Sequence, residues 1–324
     1  MKFCRRQVLT GGVAGGMVLA GSLLGARPVA AAQALAGRQV PGIYRLGVGD
    51  IEVTAILDGY IDLGIELFPS ADAEEVTRLQ RANFVPVGPS VRGAVNAFVV
   101  NTGEKLVIVD AGARDLMGPT LGQLPANLEA AGIDPEAVDV VALTHMHPDH
   151  IGGIVTANGA AVFPNAELVV HTDDWNFWMS PEIMEKANEQ GKMFFQAAQA
   201  AGTPYAKRLR QIGDDAEVVP GIRSVALPGH TPGHTGYMIS SGDQSLLIWA
   251  DIVNAAILQF PHPDWAIAFD ISPEVAIATR RRTFEMAATE RLMIAGMHVP
   301  FPGIGHVVRD GGFRFVPVSW NYEL

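Results

Sequence analysis

The chain has one cysteine in 324 residues, Cys4, at its very start. Everything after it lacks a thiol. That excludes a disulfide framework and thiolate ligation, so any metal must be held by histidine and carboxylate. Cations are scarce as well: 23 Lys and Arg stand against 34 Asp and Glu, a formal net charge of −11. A surface of that sign repels phosphate backbones and anionic lipid, which argues against nucleic acid as a substrate and against RNA processing. Residues 8–26 are apolar, but six glycines interrupt them, and they fall short of the ~20 strongly apolar residues of a membrane span. No Gly-x-Ser-x-Gly elbow occurs anywhere, so a serine nucleophile of that type is absent.

What is present at the N-terminus reads as an address. Residues 1–7 carry Lys2, Arg5 and Arg6 and no acid, and the apolar segment follows. Ala30-Ala31-Ala32 or Ala32-Gln33-Ala34 then offers a small-x-small cleavage site. The pair Arg5-Arg6 before Gln7-Val8-Leu9-Thr10 resembles a twin-arginine signal, which exports proteins already folded. Residues 1–32 are therefore expected to be a removable signal. Residues 33–324 are expected to be one exported domain, periplasmic or extracellular, with no membrane contact after cleavage. Gly11-Gly12-Val13-Ala14-Gly15-Gly16 follows no strand and is not a nucleotide loop. Loss of the leader removes four cations and no acid, moving the net charge from −11 to −15. The remaining length can bury a large core, and no composition break divides it.

Strand-like and helix-like segments alternate along this domain. Residues 43–57 partly alternate and are rich in β-branched side chains, predicting a hairpin that turns at Gly49-Asp50. Residues 96–100 and 105–109 read as strands joined by Thr102-Gly103-Glu104. Residues 121–131 have the helical spacing of Leu121, Leu124 and Leu128 and end at Gly132. The short apolar run 138–143 has the pattern of a buried strand. Helical and aromatic segments fill 172–209, and strand runs return at 216–219, 222–227, 237–240 and 246–249. Residues 273–289 read as a helix N-capped by Ser272, and 292–295 as another buried strand. Arg280-Arg281-Arg282 on that helix point different ways and read as a solvated face. Strands and helices recurring in two halves predict a layered α/β fold.

The chemistry sits where strands end. His145-Met146-His147-Pro148-Asp149-His150 begins just after the 138–143 run. His145 and His147, two apart on an extended stretch, point to one side and suit one ion. Asp149 and His150, beyond the turn at Pro148, can face a neighbouring ion, and Gly152-Gly153 permits close backbone approach. Imidazoles with a carboxylate suit zinc, whereas all-oxygen sets suit Mg or Ca. Three later strand runs also end in potential ligands. Residues 225–227 lead into Pro228-Gly229-His230-Thr231-Pro232-Gly233-His234, 246–250 into Asp251, and 292–297 into His298. Six of the nine histidines fall in these stretches, a regularity that random placement would not produce. His171, His262 and His306 read as structural.

The order His145-x-His147-x-Asp149-His150, then His234, Asp251 and His298, resembles the metallo-β-lactamase superfamily, and the likeness spans the whole domain. Asp110-Ala111-Gly112 matches a further element of that family, a structural aspartate near the site. The resemblance implies an α/β fold of the αββα four-layer sandwich type, with two metal ions at one edge of the paired sheets. It implies that His145, His147 and His234 hold the first ion, that Asp149, His150 and His298 hold the second, and that Asp251 bridges them. Asp251 and Asp149 would be the catalytic carboxylates, with Asp110, His230 and Asn254 behind or beside the ligands. The ions are expected to be zinc, with iron or cobalt as alternatives. Held about 3.5–4 Å apart, two such ions lower the pKa of water toward neutrality and so generate a hydroxide. Asp251 and the missing cysteine argue against β-lactam hydrolysis, and His147 in place of a glutamate argues against the redox-active di-iron branch.

Within that superfamily, residues 227–259 and 295–315 resemble the methyl parathion hydrolases and related lactonase-like enzymes. The stretches that carry this are Ala250-Asp251-Ile252-Val253-Asn254, Phe260-Pro261-His262-Pro263-Asp264 and Pro300-Phe301-Pro302-Gly303-Ile304-Gly305-His306. Asn254 stands where many acyl-homoserine lactonases have a tyrosine that helps bind the substrate carbonyl; it can at most donate an amide hydrogen bond there, which argues against an acyl-homoserine lactone as the main substrate. The aromatic-rich insertion after the first motif is expected to wall a hydrophobic pocket. Trp178 and Phe195 would be its main residues, with Trp175, Phe194, Met117 and Phe260 around them. The domain thus reads as a dinuclear zinc hydrolase of a small hydrophobic ester: a lactone, an aryl ester or an organophosphate triester. The alternatives are an acyl-homoserine lactonase, a glyoxalase-II-like thioesterase, and a non-catalytic metal-binding protein on the same scaffold. A homodimer is expected from the resemblance alone.

Overall fold

In the structure, a computed structural model describing residues 34–324, the alternating stretch after Gly42 forms the expected hairpin. Strands β1 (Ile43–Val48) and β2 (Ile51–Gly64) pair antiparallel about Gly49-Asp50. The expected signal at 1–32 lies outside the described residues. The folded unit is Pro41–Leu324, and among the described residues no helix is long and apolar enough to cross a membrane. β2 runs past residue 57 to Gly64 and pairs with β3 (Ser90–Asn101) through an irregularity at Leu57/Gly59. β4 (Leu106–Val109), β5 (Val140–Ala142), β6 (Glu167–His171) and β7 (Leu209–Ile212) then complete a seven-stranded sheet in chain order, parallel from β4 onward.

The second sheet also has seven strands: β8 (Glu217–Val219), β9 (Ile222–Ala226), β10 (Thr235–Ser241), β11 (Gln244–Ile248), β12 (Met293–Ala295), β13 (Ile304–Arg309) and β14 (Phe313–Pro317). Its neighbours are antiparallel except β11 and β12, which are parallel and joined through the helix Pro273–Glu290. Because side chains alternate across a strand, each sheet offers two faces. Val53, Phe98 and Val109 of the first sheet share one core with Tyr237, Ile239 and Ile248 of the second. Ile108, Val141 and Val170 face the other way, onto Leu124 and Leu128 of the helix Leu124–Ala130 and Phe195 and Ala198 of the helix Glu189–Gly202. Leu247 and Ile294 pack outward on Phe284 and Ala287 of Pro273–Glu290. Helix, sheet, sheet, helix is the αββα order, and burial at roughly 1.5–3 kcal/mol per large apolar side chain holds it together.

Some local expectations shift. The helix read from Leu121 begins at Leu124, because the N–H groups of Gly122 (φ 86) and Leu124 point instead to the buried Asp58 carboxylate at 3.1 and 3.0 Å. Ser272 precedes its helix but makes no side-chain cap. The segment 172–209 breaks into Thr172–Trp178, Pro181–Lys186 and Glu189–Gly202 before β7. What matters for function is that β4, β5, β9, β11 and β12 all run toward one edge of the sandwich, and the polar loops follow them.

Candidate metal centre

Beyond β5 the chain turns into a short helix, Pro148–Ile151, with His147 at its N-cap position. Gly152 and Gly153 let this turn press against the Ala113 and Ala111 carbonyls, where any Cβ would collide with backbone. The loop after β4 supplies Asp110, whose carboxylate accepts from Thr144 N at 2.8 Å and Thr144 Oγ1 at 2.7 Å. It also meets His150 Nδ1 at 2.7 Å. The two loops are thus locked together before any metal is considered.

Hydrogen-bond partners decide which ring nitrogen carries a proton. His150 Nδ1 faces Asp110, His230 Nδ1 faces Asp270 at 2.7 Å, His298 Nδ1 faces the Ala94 carbonyl at 2.8 Å, and His234 Nδ1 faces the Leu227 carbonyl at 2.8 Å. Each of these partners accepts, so each Nδ1 donates, and in the neutral ring each Nε2 keeps a lone pair. Thr144 Oγ1 gives its proton to Asp110 and therefore accepts from His145 Nδ1 at 3.0 Å, leaving His145 Nε2 a lone pair too.

These lone pairs converge. His145 Nε2 and His230 Nε2 each lie 3.0 Å from His147 Nδ1. Asp149, His150 and His298 form a second buried cluster. Asp251 stands between the two: Oδ2 is 3.3 Å from His230 Nε2 and 3.2 Å from His298 Nε2, and Oδ1 is 3.3 Å from His150 Nε2. His150 Nε2 and Asp251 Oδ1 are buried with no hydrogen-bond partner among the described residues. Acceptor nitrogens packed against carboxylates, with orphaned atoms among them, form a donor set that a cation satisfies.

The electrostatics agree. Burial and the neighbouring histidines hold His145 and His147 well below the ordinary imidazole range, and burial with the nearby His230 brings His234 down to about 4. Beside the carboxylates the balance reverses. Burial again opposes charge on His150, yet Asp251, Asp149 and Asp110 hold it well above its usual value. Asp251 and Asp270 likewise push the buried His230 up to about 9. Burial would raise Asp251, but His298 and His150 keep it well below the carboxylate range. The carboxylates therefore draw positive charge into the site while the His145 and His147 rings stay neutral.

The structure exchanges the parts expected of the two histidines in the Pro228–His234 stretch. His230, expected behind the ligands, joins His145 and His147. His234, expected as a ligand, has both nitrogens tied to backbone: Nδ1–H donates to Leu227 O, and Nε2 accepts from Asp251 N at 3.1 Å. The reason is the anchoring of the loop. Buried Asp174 accepts from Thr231 Oγ1, from Gly233 N at 3.2 Å and from Met146 N at 3.0 Å, fastening this loop to the first motif. That register turns His230 inward and leaves His234 bracing the Asp251 turn.

A narrow cavity of about 30 Å³ opens at the clusters, walled by Ile61, Leu63, Met117, Phe194, Ile267 and Phe269, with Asn254 beside Asp251. It shares His147, Phe194 and Phe269 with an outer groove of about 370 Å³ bordered by Phe177, Trp178, Ile183 and Phe195. The Phe194 and Phe269 rings stand 6.0 Å apart at the junction. Two expected wall residues are elsewhere. Trp175 packs beneath Gly202 among the helices of the first sheet, and Phe260 stacks on Phe284 at 5.0 Å behind the second sheet. Both lie near the metal motifs in sequence, a nearness that packing does not carry into space. Arg280, read as solvated, is buried: it donates to Ile252 O at 2.6 Å and Pro263 O at 3.0 Å and faces Asp270 at 3.7 Å. Asp270, Asp174, Phe269 and Ile267 carry no motif that would have revealed them.

An αββα sandwich with these histidine and aspartate clusters at one edge has the fold and the donor set of a metallo-hydrolase. The chain belongs to the metallo-β-lactamase superfamily, whose family model matches residues 91–307. It is similar to the hydrolase AbOPH of the beta lactamase superfamily, at 33% identity over 88% of this chain and 100% of that one, with a TM-score of 0.83. It is also similar to AidC, a dizinc quorum-quenching lactonase, at 28% identity over 87% of this chain and 99% of that one, with a TM-score of 0.81. A further relative is the N-acyl homoserine lactonase AiiA of Bacillus thuringiensis subsp. kurstaki, 24% identical over 167 residues. That match covers 52% of this chain and only 58% of the relative.

Proposed function

We propose that this hydrolase is a dinuclear zinc enzyme that opens lactones carrying an apolar tail. The observation that carries the reading is the pair of donor clusters set on either side of Asp251. His145, His147 and His230 would hold one ion, Asp149, His150 and His298 the other, with Asp251 shared. Imidazole-rich sites with carboxylate suit zinc. Two such ions supply Lewis acidity and lower the pKa of water toward neutrality. The chain's own residues do the rest. Asp251 can take a proton from the attacking water and return it to the leaving alkoxide oxygen. Phe194, Ile267 and Phe269 exclude water from the approach.

Cavity shape supports a lactone over a phosphotriester. A slender cavity continuing into a groove fits a planar ring with one tail better than three substituents fanning from tetrahedral phosphorus. The similarity to AidC supports the same reading. Export is proposed on the signal-like residues 1–32. Protein of measured metal content should be assayed on N-acyl homoserine lactones, aryl esters and dialkyl aryl phosphates. We expect kcat/KM for the lactones to lead by about tenfold or more, a difference of about 1.4 kcal/mol in the barrier. A lead for the phosphates, with two metals bound, would overturn the substrate assignment.

A further inference from the structure

We infer that Asn254 reads a hydrogen-bond donor on the substrate, an amide N–H on the carbon beside the lactone carbonyl. The inference rests on the lactonase reading and narrows the substrate class within it. Asn254 is 4% exposed and lines the cavity at the clusters. Among the described residues, and apart from the histidines and aspartates of those clusters, it is the only polar residue lining that cavity, and the others are Ile61, Leu63, Met117, Phe194, Ile267 and Phe269.

The orientation of its carboxamide is fixed. Asn254 Nδ2 donates to Asp251 Oδ2 at 2.9 Å, a carboxylate oxygen that also sits 3.3 Å from His230 Nε2 and 3.2 Å from His298 Nε2 and so serves as an acceptor. A flipped amide would set two acceptors against each other, so Oδ1 must face away from Asp251. The backbone is held as well, since Asn254 N donates to Gln259 Oε1 at 2.7 Å. Oδ1 is then left buried with no partner among the described residues. A buried acceptor is ordinarily satisfied, and here the apolar walls offer no donor. Unsubstituted lactones, aryl esters and phosphotriesters have no N–H or O–H to give it. An α-acylamino lactone has one, a single bond from the ring carbon next to the scissile carbonyl. A site that expects a donor disfavours the analogue lacking it, because its own acceptor is then left unpaired.

The test compares an α-acylamino-γ-butyrolactone with its α-acyloxy counterpart of the same tail, in which oxygen replaces the N–H. Ring opening is followed for both, and each kcat/KM is divided by the substrate's hydroxide rate. Wild-type protein should prefer the amide by about tenfold or more. Asn254 also braces Asp251, so Asn254→Leu will slow both substrates; the ratio removes that shared loss and should fall to near one, with metal content unchanged. Asn254→Ala serves if the leucine variant does not fold, and the wild-type ratio stands without either. A wild-type ratio near one, or a ratio that survives Asn254→Leu, overturns the inference while leaving the lactonase reading intact. Turnover of aryl esters with neither lactone opened overturns both.

Discussion

Removing the metal with a chelator will lower hydrolysis by about a thousandfold or more, and adding zinc will restore it. The size follows from the several kcal/mol that Lewis-acid charge stabilisation contributes to such reactions. Thermal stability should fall at the same time. At free zinc a thousandfold above its dissociation constant, a bound ion contributes about 4 kcal/mol, all of which the chelator removes. The stripped chain should nevertheless stay folded. Its three large apolar clusters lie within and outside the sheets, away from the polar edge. Protons can also replace part of the lost charge, since carboxylates hold His150 and His230 above their ordinary values. Calorimetry and far-UV circular dichroism on the stripped protein check both halves. A lower melting temperature with retained secondary structure is expected, and unchanged activity would contradict the metal assignment.

Asp270→Leu should cost metal affinity and stability together. One Asp270 oxygen accepts from His230 Nδ1 at 2.7 Å, and the other accepts from Ile267 N at 3.1 Å and faces Arg280 at 3.7 Å. Leucine would release the His230 ring from its fixed tautomer, and losing such a partner behind a ligand typically costs 10–100-fold in metal affinity. It would also leave the Arg280 guanidinium buried without its carboxylate. Breaking one side of a buried pair costs about 3–5 kcal/mol. The backbone carbonyls around Arg280 stay in place, so the lower end of that range is expected. Zinc titration and denaturant unfolding read the two losses separately. The double variant Asp270→Leu, Arg280→Met should recover part of the stability and none of the affinity. Recovery of both would show that Asp270 acts through packing alone.

The clustered part of this site was legible in the sequence because chemistry forces it to be compact. Donor side chains that one loop brings to the same sheet edge must fall within a few residues, and those of His145 to His150 do. The layered fold was legible for a similar reason: runs such as 138–143 and 246–249 announce buried strands by composition. The distinction between His230 and His234 was not legible. Both follow a glycine at the same strand end, and the register that separates them comes from Asp174, 57 residues before Thr231. Asp270 is 40 residues from the ring it orients, and Arg280 is buried by carbonyls of a different loop. Aromatic residues misled in the same way. Phe260 sits near Asp251 in sequence and stacks behind the sheet, whereas Phe269, farther along, reaches the cavity.

The parts played by these two histidines give the sharpest test of the account. Metal content per chain should be measured for His230→Ala and His234→Ala after equilibration with zinc and removal of the excess. The geometry predicts that His234→Ala keeps two zinc ions, at a cost in stability from the freed Leu227 carbonyl and Asp251 amide. It predicts that His230→Ala keeps one at most and loses nearly all activity. Two ions in His230→Ala and one in His234→Ala would contradict it.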